Sequence, residues 1–219
     1  MHPAPALCVR GFGRVLLLSI GWCGIIAGTA SEGTRMGAAL TLPFAWRGSR
    51  RGKESGRLQL RALITGISGF VGSHLAEYLL EHTDWQVAGT VYGQLDNIVS
   101  IQDRLQLFPV ELSRYEVVCS IVEEARPDYI FHLAAQPIPT LSREDPWFTL
   151  ENNIRVQLNL LEAMSKLKLS SRILVVGSSE EYGKVSSEEI PLSEDAPLRP
   201  TSPYAVSKVT QDFLGLQYY

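Results

Sequence analysis

A tyrosine and a lysine stand four residues apart in the segment SPYAVSK, at Tyr204 and Lys208. Residues four apart on a helix point to one face, so these two side chains are expected side by side. An ammonium beside a phenol favours the charged phenolate, and we therefore expect a lowered pKa for Tyr204. Such a tyrosine acts as a general acid or base near neutral pH. The pair alone is weak evidence, because an exposed helix face gives the same pattern.

A serine strengthens the chemical interpretation of this pair. Ser178 directly follows the apolar run RILVVG, residues 172–177, which predicts a buried strand. We expect its hydroxyl at the carboxyl edge of a sheet, where it would hydrogen-bond a substrate oxygen while protons and a hydride move. Ser178, Tyr204 and Lys208 together, downstream of a glycine loop, are a much more specific signal than the pair.

That glycine loop, GISGFVG, lies between the predicted strand RALIT and the apolar helical pattern SHLAEYLLEH. Gly66 permits a tight turn, Gly69 lets backbone N–H groups approach a pyrophosphate, and Gly72 lets the helix pack closely on the strand. We predict a dinucleotide site here, although the spacing Gly-x-x-Gly-x-x-Gly differs from the commonest fingerprint. The residues between the glycines that we assign to this site are Ser68, Phe70 and Val71.

Strands and helices alternate through the rest of the chain. We predict further strands at residues 86–90, 107–112, 129–134 and 172–177, and helices near residues 114–125 and 147–167. This alternation predicts an α/β fold with a Rossmann-type doubly wound parallel sheet, with ligands at the carboxyl ends of its strands. The second strand runs out as GTVY, residues 89–92, without the usual ribose-binding acid and without an arginine in its place. The cofactor is therefore NADP or NAD.

The first 59 residues differ from the rest. An apolar run at residues 15–30 follows two arginines and ends in small residues, as a secretory signal does, and residues 46–57 form a basic, Gly/Ser-rich stretch. We expect residues 1–59 to be a non-globular extension, either upstream translation or a genuine signal or anchor segment. Residues 60–219 would then be the NAD(P)-binding domain.

Composition excludes several other classes of protein. The chain has 219 residues, 45% of them hydrophobic, and a net charge of -3, which suits one globular domain and argues against nucleic-acid binding. Its three cysteines are an odd number at unrelated spacings, and its four histidines lack the spacing of metal ligands. We expect no metal, a reducing cytoplasmic location, and no membrane association unless the N-terminal segment is a real anchor.

The segments TGISGFVG, HLAAQ, GSSEEYG and SPYAVSK occur in this order. In them the chain resembles the extended short-chain dehydrogenase/reductases, in the branch that acts on nucleotide sugars. The resemblance implies that Ser178, Tyr204 and Lys208 form the catalytic triad, with Tyr204 and Lys208 also contacting the cofactor. It implies that Asn153 supports the active site.

The same resemblance adds further residues to the cofactor site. It implies that the segment from His132 to Ala135, with Leu133 and Ala134 between them, lines the cofactor. It also implies that Glu111 and Leu112 lie at the adenine. The family usually carries an aspartate where this chain has Glu111.

Within this branch the chain is similar to the GDP-mannose 4,6-dehydratases and the GDP-4-keto-6-deoxymannose reductases. A dehydratase oxidises C4 of the sugar, removes the C5 proton while water leaves C6, and returns the hydride to C6. That chemistry needs an additional carboxylate base, and Glu180 matches the glutamate of the dehydratase pattern Thr-Ser-Glu. Gln136 in HLAAQ is also dehydratase-like. The resemblance favours a dehydratase of GDP-mannose.

Other interpretations stay open at this point. Ser178 replaces the dehydratase threonine, the first loop lacks the form Gly-Gln-Asp-Gly, and GSSEEYG is also similar to reductases, so a reductase or another nucleotide-sugar epimerase remains an alternative. Glu180 and Glu181 are otherwise two solvated loop charges. Because the chain stops at Tyr219, we expect a fold truncated before the C-terminal substrate domain. An inactive dinucleotide-binding fragment is therefore the second alternative, and a full-length protein is expected to form homo-oligomers.

Overall fold

The computed structural model describes residues 7–12, 15–20 and 59–218. The strands are β1 (Leu7–Phe12), β2 (Val15–Ile20), β3 (Arg61–Thr65), β4 (Gln86–Val91), β5 (Gln106–Pro109), β6 (Tyr129–His132) and β7 (Arg172–Ser178). The α-helices are α1 (Phe70–His82), α2 (Tyr115–Ala125), α3 (Pro139–Glu144), α4 (Pro146–Lys166) and α5 (Pro203–Gln217). Short 3₁₀ turns join some of them.

One sheet in the described residues contains these strands in the order β1-β2-β7-β6-β3-β4-β5. All neighbours from β2 to β5 pair in parallel, and β1 pairs antiparallel with β2. The chain runs from β3 outward through β4 to β5, then returns to β6 on the other side of β3. This reversal creates a switch point between β3 and β6, and ligands of such sheets bind at the carboxyl ends of the strands beside a switch point.

Helices cover both faces of the sheet, and β3 is buried on both of them. Leu63 packs in a cluster with residues of α2 and α4, whereas the next residue, Ile64, packs in a second cluster with residues of α1. Both side chains are fully buried. Successive side chains of a strand point to opposite faces of the sheet. A strand that is covered on both faces therefore consists of consecutive apolar residues, as the LI of RALIT shows.

The predicted parallel α/β sheet is confirmed, and most predicted elements agree with the structure to within a residue or two. Three boundaries were wrong. The strand predicted at 107–112 ends at Pro109, although Val110 still donates its N–H to the carbonyl of Val91 at 3.1 Å. The strand predicted at 129–134 ends at His132, because the next two N–H groups donate to a side chain. Helix α1 begins at Phe70, three residues earlier than predicted.

Strands β1 and β2 lie within residues 1–59, which the sequence placed outside the fold. β2 pairs in parallel with β7 over its whole length, from Val15 opposite Ile173 to Ile20 opposite Ser178. The expectation of a non-globular extension therefore disagrees with the structure for these two strands. An apolar run such as VLLLSI satisfies a signal segment and a buried parallel strand equally well, so its composition alone does not decide between them. The rest of residues 1–58 lies outside the described residues.

Candidate active site

The glycine loop joins β3 to α1 at the carboxyl edge of the sheet. Gly66 has a φ of +70°, the left-handed region that favours glycine, and a Cβ added there would lie 3.1 Å from the backbone nitrogen of Ala134. Gly69 donates its N–H to the carbonyl of Gly66 at 3.0 Å and so closes the turn. A Cβ on Gly72 would lie 2.4 Å from the same carbonyl. The tight turn and close helix packing predicted for Gly66 and Gly72 are therefore present.

The N-terminus of α1 is free to receive an anion. Gly69 is the N-cap and has no side chain to accept the first N–H groups of the helix. Phe70 and Val71, in the first turn, are 69% and 52% exposed. A phosphate placed here would meet the N–H groups of the first turn, at Phe70 and Val71, and the positive end of the helix dipole. These residues thus fit the pyrophosphate of a dinucleotide.

The hydroxyl of Thr65 ties the glycine loop to the segment after β6. Its Oγ1 accepts from the N–H groups of Leu133 and Ala134, each at 3.1 Å. The same oxygen lies 2.9 Å from Nδ1 of His132, within hydrogen-bond distance. Burial, with the nearby charge of Lys208, lowers the pKa of His132 to about 3. The hydroxyl of Thr65 therefore fixes the predicted cofactor segment beside Gly66, next to a neutral buried histidine.

Ser178 and Tyr204 meet where β7 ends and α5 begins. Ser178 is the last residue of β7, and its side chain lies close enough to the phenol of Tyr204 to lower the pKa of that phenol. Tyr204 lies in the first turn of α5, whose N-cap Ser202 accepts from the N–H of Ala205 at 3.1 Å. Pro203 occupies the first helical position, where its missing N–H costs nothing. The sequence S-P-Y thus starts the helix at the point that brings Tyr204 to Ser178.

Lys208 lies one turn along α5 and points at the sheet. Its Nζ donates to the carbonyl of Val176 at 2.9 Å and lies 5.9 Å from the ring centre of Tyr204. Burial lowers the pKa of Lys208 to about 8, while the carboxylate of Glu181 opposes that change. Tyr204 and Lys208 share one face of α5, as their spacing predicts.

The expected direction of the Tyr204 pKa was wrong. Burial raises the pKa of the phenol, the hydrogen bond to Ser178 lowers it, and the carboxylates of Glu180 and Glu181 raise it. The net direction is upward. Sequence spacing places a lysine near the tyrosine, but it reveals neither the burial of the phenol nor the two carboxylates beside it.

The two neighbouring glutamates have different surroundings. Glu181 is buried, and its carboxylate accepts from the N–H of Ser178 at 2.6 Å in a capping box. Glu180 is half-buried, and its Oε2 accepts from the hydroxyl of Ser202 at 3.2 Å. The alternative that Glu180 and Glu181 are two solvated loop charges therefore does not describe either carboxylate. Glu181 is committed to the backbone, whereas Glu180 keeps oxygen lone pairs available at the Ser178–Tyr204 edge.

Asn153, fully buried on α4, holds the loop after β6 to α5. It accepts from the N–H of Gln136 at 2.7 Å, donates to the carbonyl of Gln136 at 3.2 Å, and donates to the hydroxyl of Ser207 at 2.9 Å. This geometry suits the supporting role that the resemblance implied for Asn153. The amide of Gln136 itself bonds to the backbone of Ile138 at both ends.

The residues proposed for the adenine lie apart from these groups, after β5. Glu111 is exposed, and its carboxylate accepts from the hydroxyl of Ser113 at 2.9 Å. Leu112 is buried in the core, and its carbonyl accepts from Asn159 on α4 at 2.9 Å. Both are at the carboxyl edge of the sheet, two strands away from β3. Their contact with an adenine stays a prediction.

Several residues that shape the site were not predicted from the sequence. Thr65, Glu181 and Ser202 act through hydrogen bonds that depend on how β3, β7 and α5 come together. A cap signal was available for Ser202, because serine before proline commonly starts a helix. In the part of the chain that the structure describes, no group of three histidine, cysteine, aspartate or glutamate side chains is placed to hold a metal ion. Among the same residues, no helix has the length and apolar character needed to cross a membrane.

The family model described as GDP-mannose 4,6 dehydratase matches residues 63–219. The chain therefore belongs to this family. A GDP-6-deoxy-D-mannose reductase of Pseudomonas aeruginosa is 33% identical over 159 residues, which are 72% of this chain and 47% of that protein. A human GDP-mannose 4,6 dehydratase is 33% identical over 177 residues, covering 74% of this chain and 46% of that protein. The chain thus spans about half the length of these relatives.

Solved structures of similar fold are nucleotide-sugar enzymes. A UDP-glucose 4-epimerase of Thermus thermophilus in complex with NAD superposes with a TM-score of 0.63 at 36% identity, over 72% of this chain and 50% of that one. A dTDP-glucose 4,6-dehydratase of Streptomyces venezuelae with NAD bound gives a TM-score of 0.66 at 26% identity, over 73% of this chain and 51% of that one. The fold and the broad family are therefore established together.

Proposed function

We propose that this member of the GDP-mannose 4,6-dehydratase family is an NAD(P)-dependent dehydratase that converts GDP-mannose to its 4-keto-6-deoxy product. One observation carries the choice of a dehydratase. Glu180 presents a partly exposed carboxylate beside Ser178 and Tyr204. The carboxylate of its neighbour Glu181 instead accepts a hydrogen bond from the backbone N–H of Ser178. A 4-keto sugar reductase has no use for a base at this position, whereas abstraction of a C5 proton requires one.

The residues of the glycine loop suit a dinucleotide. The turn at Gly66, the uncapped start of α1 and the fixed segment Leu133–Ala135 form a backbone cradle for it at the switch point. When bound, the nicotinamide ring accepts a hydride from C4 of the sugar and later returns it to C6. All other steps fall to side chains of this chain.

Tyr204 and its neighbours handle the proton at the C4 oxygen. In the oxidation step Tyr204 takes the proton of the C4 hydroxyl as the C4–H bond breaks, and Ser178 holds the same oxygen by a hydrogen bond. Because burial raises the pKa of Tyr204, its phenolate needs a nearby cation. Lys208, 5.9 Å from the ring centre, supplies that charge.

Glu180 handles the proton at C5. The C4 ketone makes that proton acidic, and Glu180 removes it as the C5–H electrons form a double bond to C6. The C6 hydroxyl leaves as water after it receives the proton that Glu180 took from C5. Return of the hydride to C6 and of a proton to C5 completes a reaction in which the sugar loses one water and the cofactor is regenerated. No external oxidant is needed.

Two observations favour other functions. The relative from Pseudomonas aeruginosa is a reductase, and this chain has Ser178 where dehydratases are expected to carry threonine, so reduction of the 4-keto-6-deoxy sugar is the second candidate. The chain also spans about half of its relatives, so dinucleotide binding without turnover is the third.

Product analysis separates these three functions. The purified protein is incubated with GDP-mannose and either NAD or NADP, and the sugar nucleotides are analysed by mass spectrometry and NMR. We expect a product that has lost one water and carries a ketone at C4. If the protein instead only reduces an added GDP-4-keto-6-deoxy sugar with NADH or NADPH, the reductase interpretation replaces ours. Binding of NAD(P) with neither reaction would support the binding module.

A further inference from the structure

The hydroxyl of Ser202 has a second partner besides the helix that it caps. Its oxygen accepts from the N–H of Ala205 at 3.1 Å, and its hydrogen is donated to Oε2 of Glu180, 3.2 Å away. Ser202 is only 5% exposed, so water has little access to either bond. A serine hydroxyl has a single hydrogen, and here the carboxylate accepts it. One buried hydroxyl therefore joins the start of α5 to the turn that follows β7.

The backbone of Glu180 is fixed separately from its side chain. Glu180 lies in the 3₁₀ turn Ser179–Tyr182, directly after β7. Its N–H donates to Oγ of Ser178 at 3.2 Å, and its carbonyl accepts from the N–H of Gly183 at 3.1 Å. These backbone bonds leave the side-chain torsions free, and a glutamate side chain has many rotamers to lose when it is ordered. Among residues 59–218, the hydrogen bond that holds the carboxylate comes from Ser202.

The two carboxylate oxygens of Glu180 consequently have different surroundings. Oε2 is anchored by Ser202, whereas Oε1 accepts no hydrogen bond from the described residues. The anchored side faces the N-terminus of α5, where the helix dipole attracts a carboxylate. A general base has to keep a lone pair at the reacting atom while the rest of the group stays in place. One anchored oxygen beside one free oxygen meets this requirement.

We propose that Ser202 is a positioning residue for Glu180, and that its hydroxyl holds the carboxylate in the orientation that removes the C5 proton. The proposal rests on the proposed function, in which Glu180 is that base. Ser202 itself touches neither the sugar nor the cofactor. Its hydroxyl acts on the dehydration, which uses Glu180, and not on the oxidation at C4, which uses Tyr204.

Helix capping is the other role of Ser202, and it affects a different set of steps. Tyr204 lies in the first turn of α5, so a displaced helix start would move the phenol and slow the oxidation at C4 as well. Glycine is an acceptable N-cap, whereas alanine is a poor one, and neither offers a hydroxyl to Glu180. Ser202→Gly therefore removes the bond to the carboxylate and keeps the start of the helix. Ser202→Ala removes both.

The test compares two rates in single turnovers of GDP-mannose and NAD(P) in deuterated water. Absorbance of the reduced nicotinamide reports the oxidation at C4. Formation of the 4-keto-6-deoxy product with deuterium at C5 reports the dehydration. We expect Ser202→Gly to dehydrate about tenfold to a hundredfold more slowly, because a hydrogen bond to a charged group has an energy that corresponds to this factor. Its oxidation at C4 should change by less than about threefold, as glycine largely preserves the cap.

Three further variants complete the test. Ser202→Thr keeps both the hydroxyl and the cap, and its two rates should stay near those of the wild type. Thr201→Ala removes a hydroxyl from the exposed preceding residue and should change neither rate. Ser202→Ala should show the slow dehydration of Ser202→Gly together with a lower melting temperature.

The outcomes separate this inference from the proposed function. A ratio of dehydration to oxidation in Ser202→Gly equal to that of the wild type would overturn the inference and leave the proposed function intact. The same holds if both rates fall in proportion, because that result assigns Ser202 to capping alone. A wild type that forms no dehydrated product would refute the proposed function, and the positioning role of Ser202 with it.

Discussion

The two halves of the site, the cofactor cradle after β3 and the edge where β7 meets α5, differ in the groups that line them. The cofactor cradle after β3 consists mainly of backbone: a positive-φ glycine, an uncapped helix start and N–H groups fixed by Thr65. The edge where β7 meets α5 consists of ionisable side chains, Tyr204, Lys208 and Glu180, and burial shifts the pKa values of Tyr204 and Lys208. A backbone cradle is sensitive to added volume and indifferent to pH, whereas the side-chain edge is sensitive to charge and pH. Mutations therefore separate the two.

The largest effect is expected at the side-chain edge. Tyr204→Phe removes the group that moves the proton at the C4 oxygen and should lower turnover by about 10² to 10⁴-fold. Because Tyr204 contributes little to the phosphate cradle, the affinity for NAD(P) should change by much less than the rate. Turnover of GDP-mannose and calorimetric NAD(P) affinity are the two measurements. A variant that loses both equally would show that the two halves are not separable.

A bulky side chain in the cradle should have the opposite signature. Gly69 has extended backbone angles, and a Cβ there meets only the carbonyl of Gly66 at 3.2 Å, so Gly69→Val is expected to fold. Its side chain would occupy the approach to the pyrophosphate, and NAD(P) binding should be abolished. Unchanged NAD(P) binding in folded Gly69→Val would contradict the assignment of the loop.

Gly72→Ala is the contrasting variant in the same loop. The added Cβ would lie 2.4 Å from the carbonyl of Gly66 and 2.8 Å from the Cα of Ile67, both backbone atoms. We therefore expect a loss of about 1–3 kcal/mol in the free energy of unfolding, in addition to weaker binding. Thermal melts of both variants distinguish the two effects: Gly69→Val should melt near the wild type and Gly72→Ala clearly below it.

The pH dependence of turnover reports on Lys208. Its pKa is lowered to about 8, so the cation that supports the phenolate of Tyr204 is lost as the pH rises through that value. We expect kcat/KM to fall above about pH 8, approaching tenfold per pH unit. Lys208→Arg keeps its charge at every accessible pH and should lack this alkaline decline, even at a lower rate. An unchanged decline in Lys208→Arg would assign it to another group.

A further prediction is a pH dependence of stability at the junction of the two halves. The pKa of His132 is about 3 in the folded protein and about 6.5 in an unfolded chain, so the unfolded chain binds more protons below pH 6.5. Its contribution is therefore complete above pH 6.5 and is lost as the pH falls toward 3, by up to about 1.4 kcal/mol per pH unit. Denaturant unfolding between pH 4.5 and 7.5 measures this slope. His132→Gln should flatten it, whereas His74→Gln, at an exposed residue of α1, should not.

The backbone half of the site could be predicted from the sequence, and much of the electrostatics could not. Glycine spacing after RALIT specifies a turn whatever surrounds it, so the loop and the order of strands and helices followed from local pattern. The burial of Tyr204, the capping role of Glu181 and the hydrogen-bond hub at Thr65 depend on residues brought together from distant parts of the chain. The strand Val15–Ile20 was missed for a different reason, since its apolar run satisfies two incompatible interpretations.

The central claim is that Glu180 is the base that removes the C5 proton, and solvent exchange at C5 tests it most directly. GDP-mannose and NAD(P) are incubated with wild type, Glu180→Gln and the control Glu188→Gln, an exposed glutamate of the following loop, in deuterated water. We predict deuterium at C5 of the 4-keto-6-deoxy product from wild type and Glu188→Gln. Glu180→Gln should still reduce the bound cofactor with GDP-mannose but should dehydrate about 10² to 10⁴-fold more slowly. Dehydration by Glu180→Gln at the wild-type rate, with full deuterium at C5, would contradict the account.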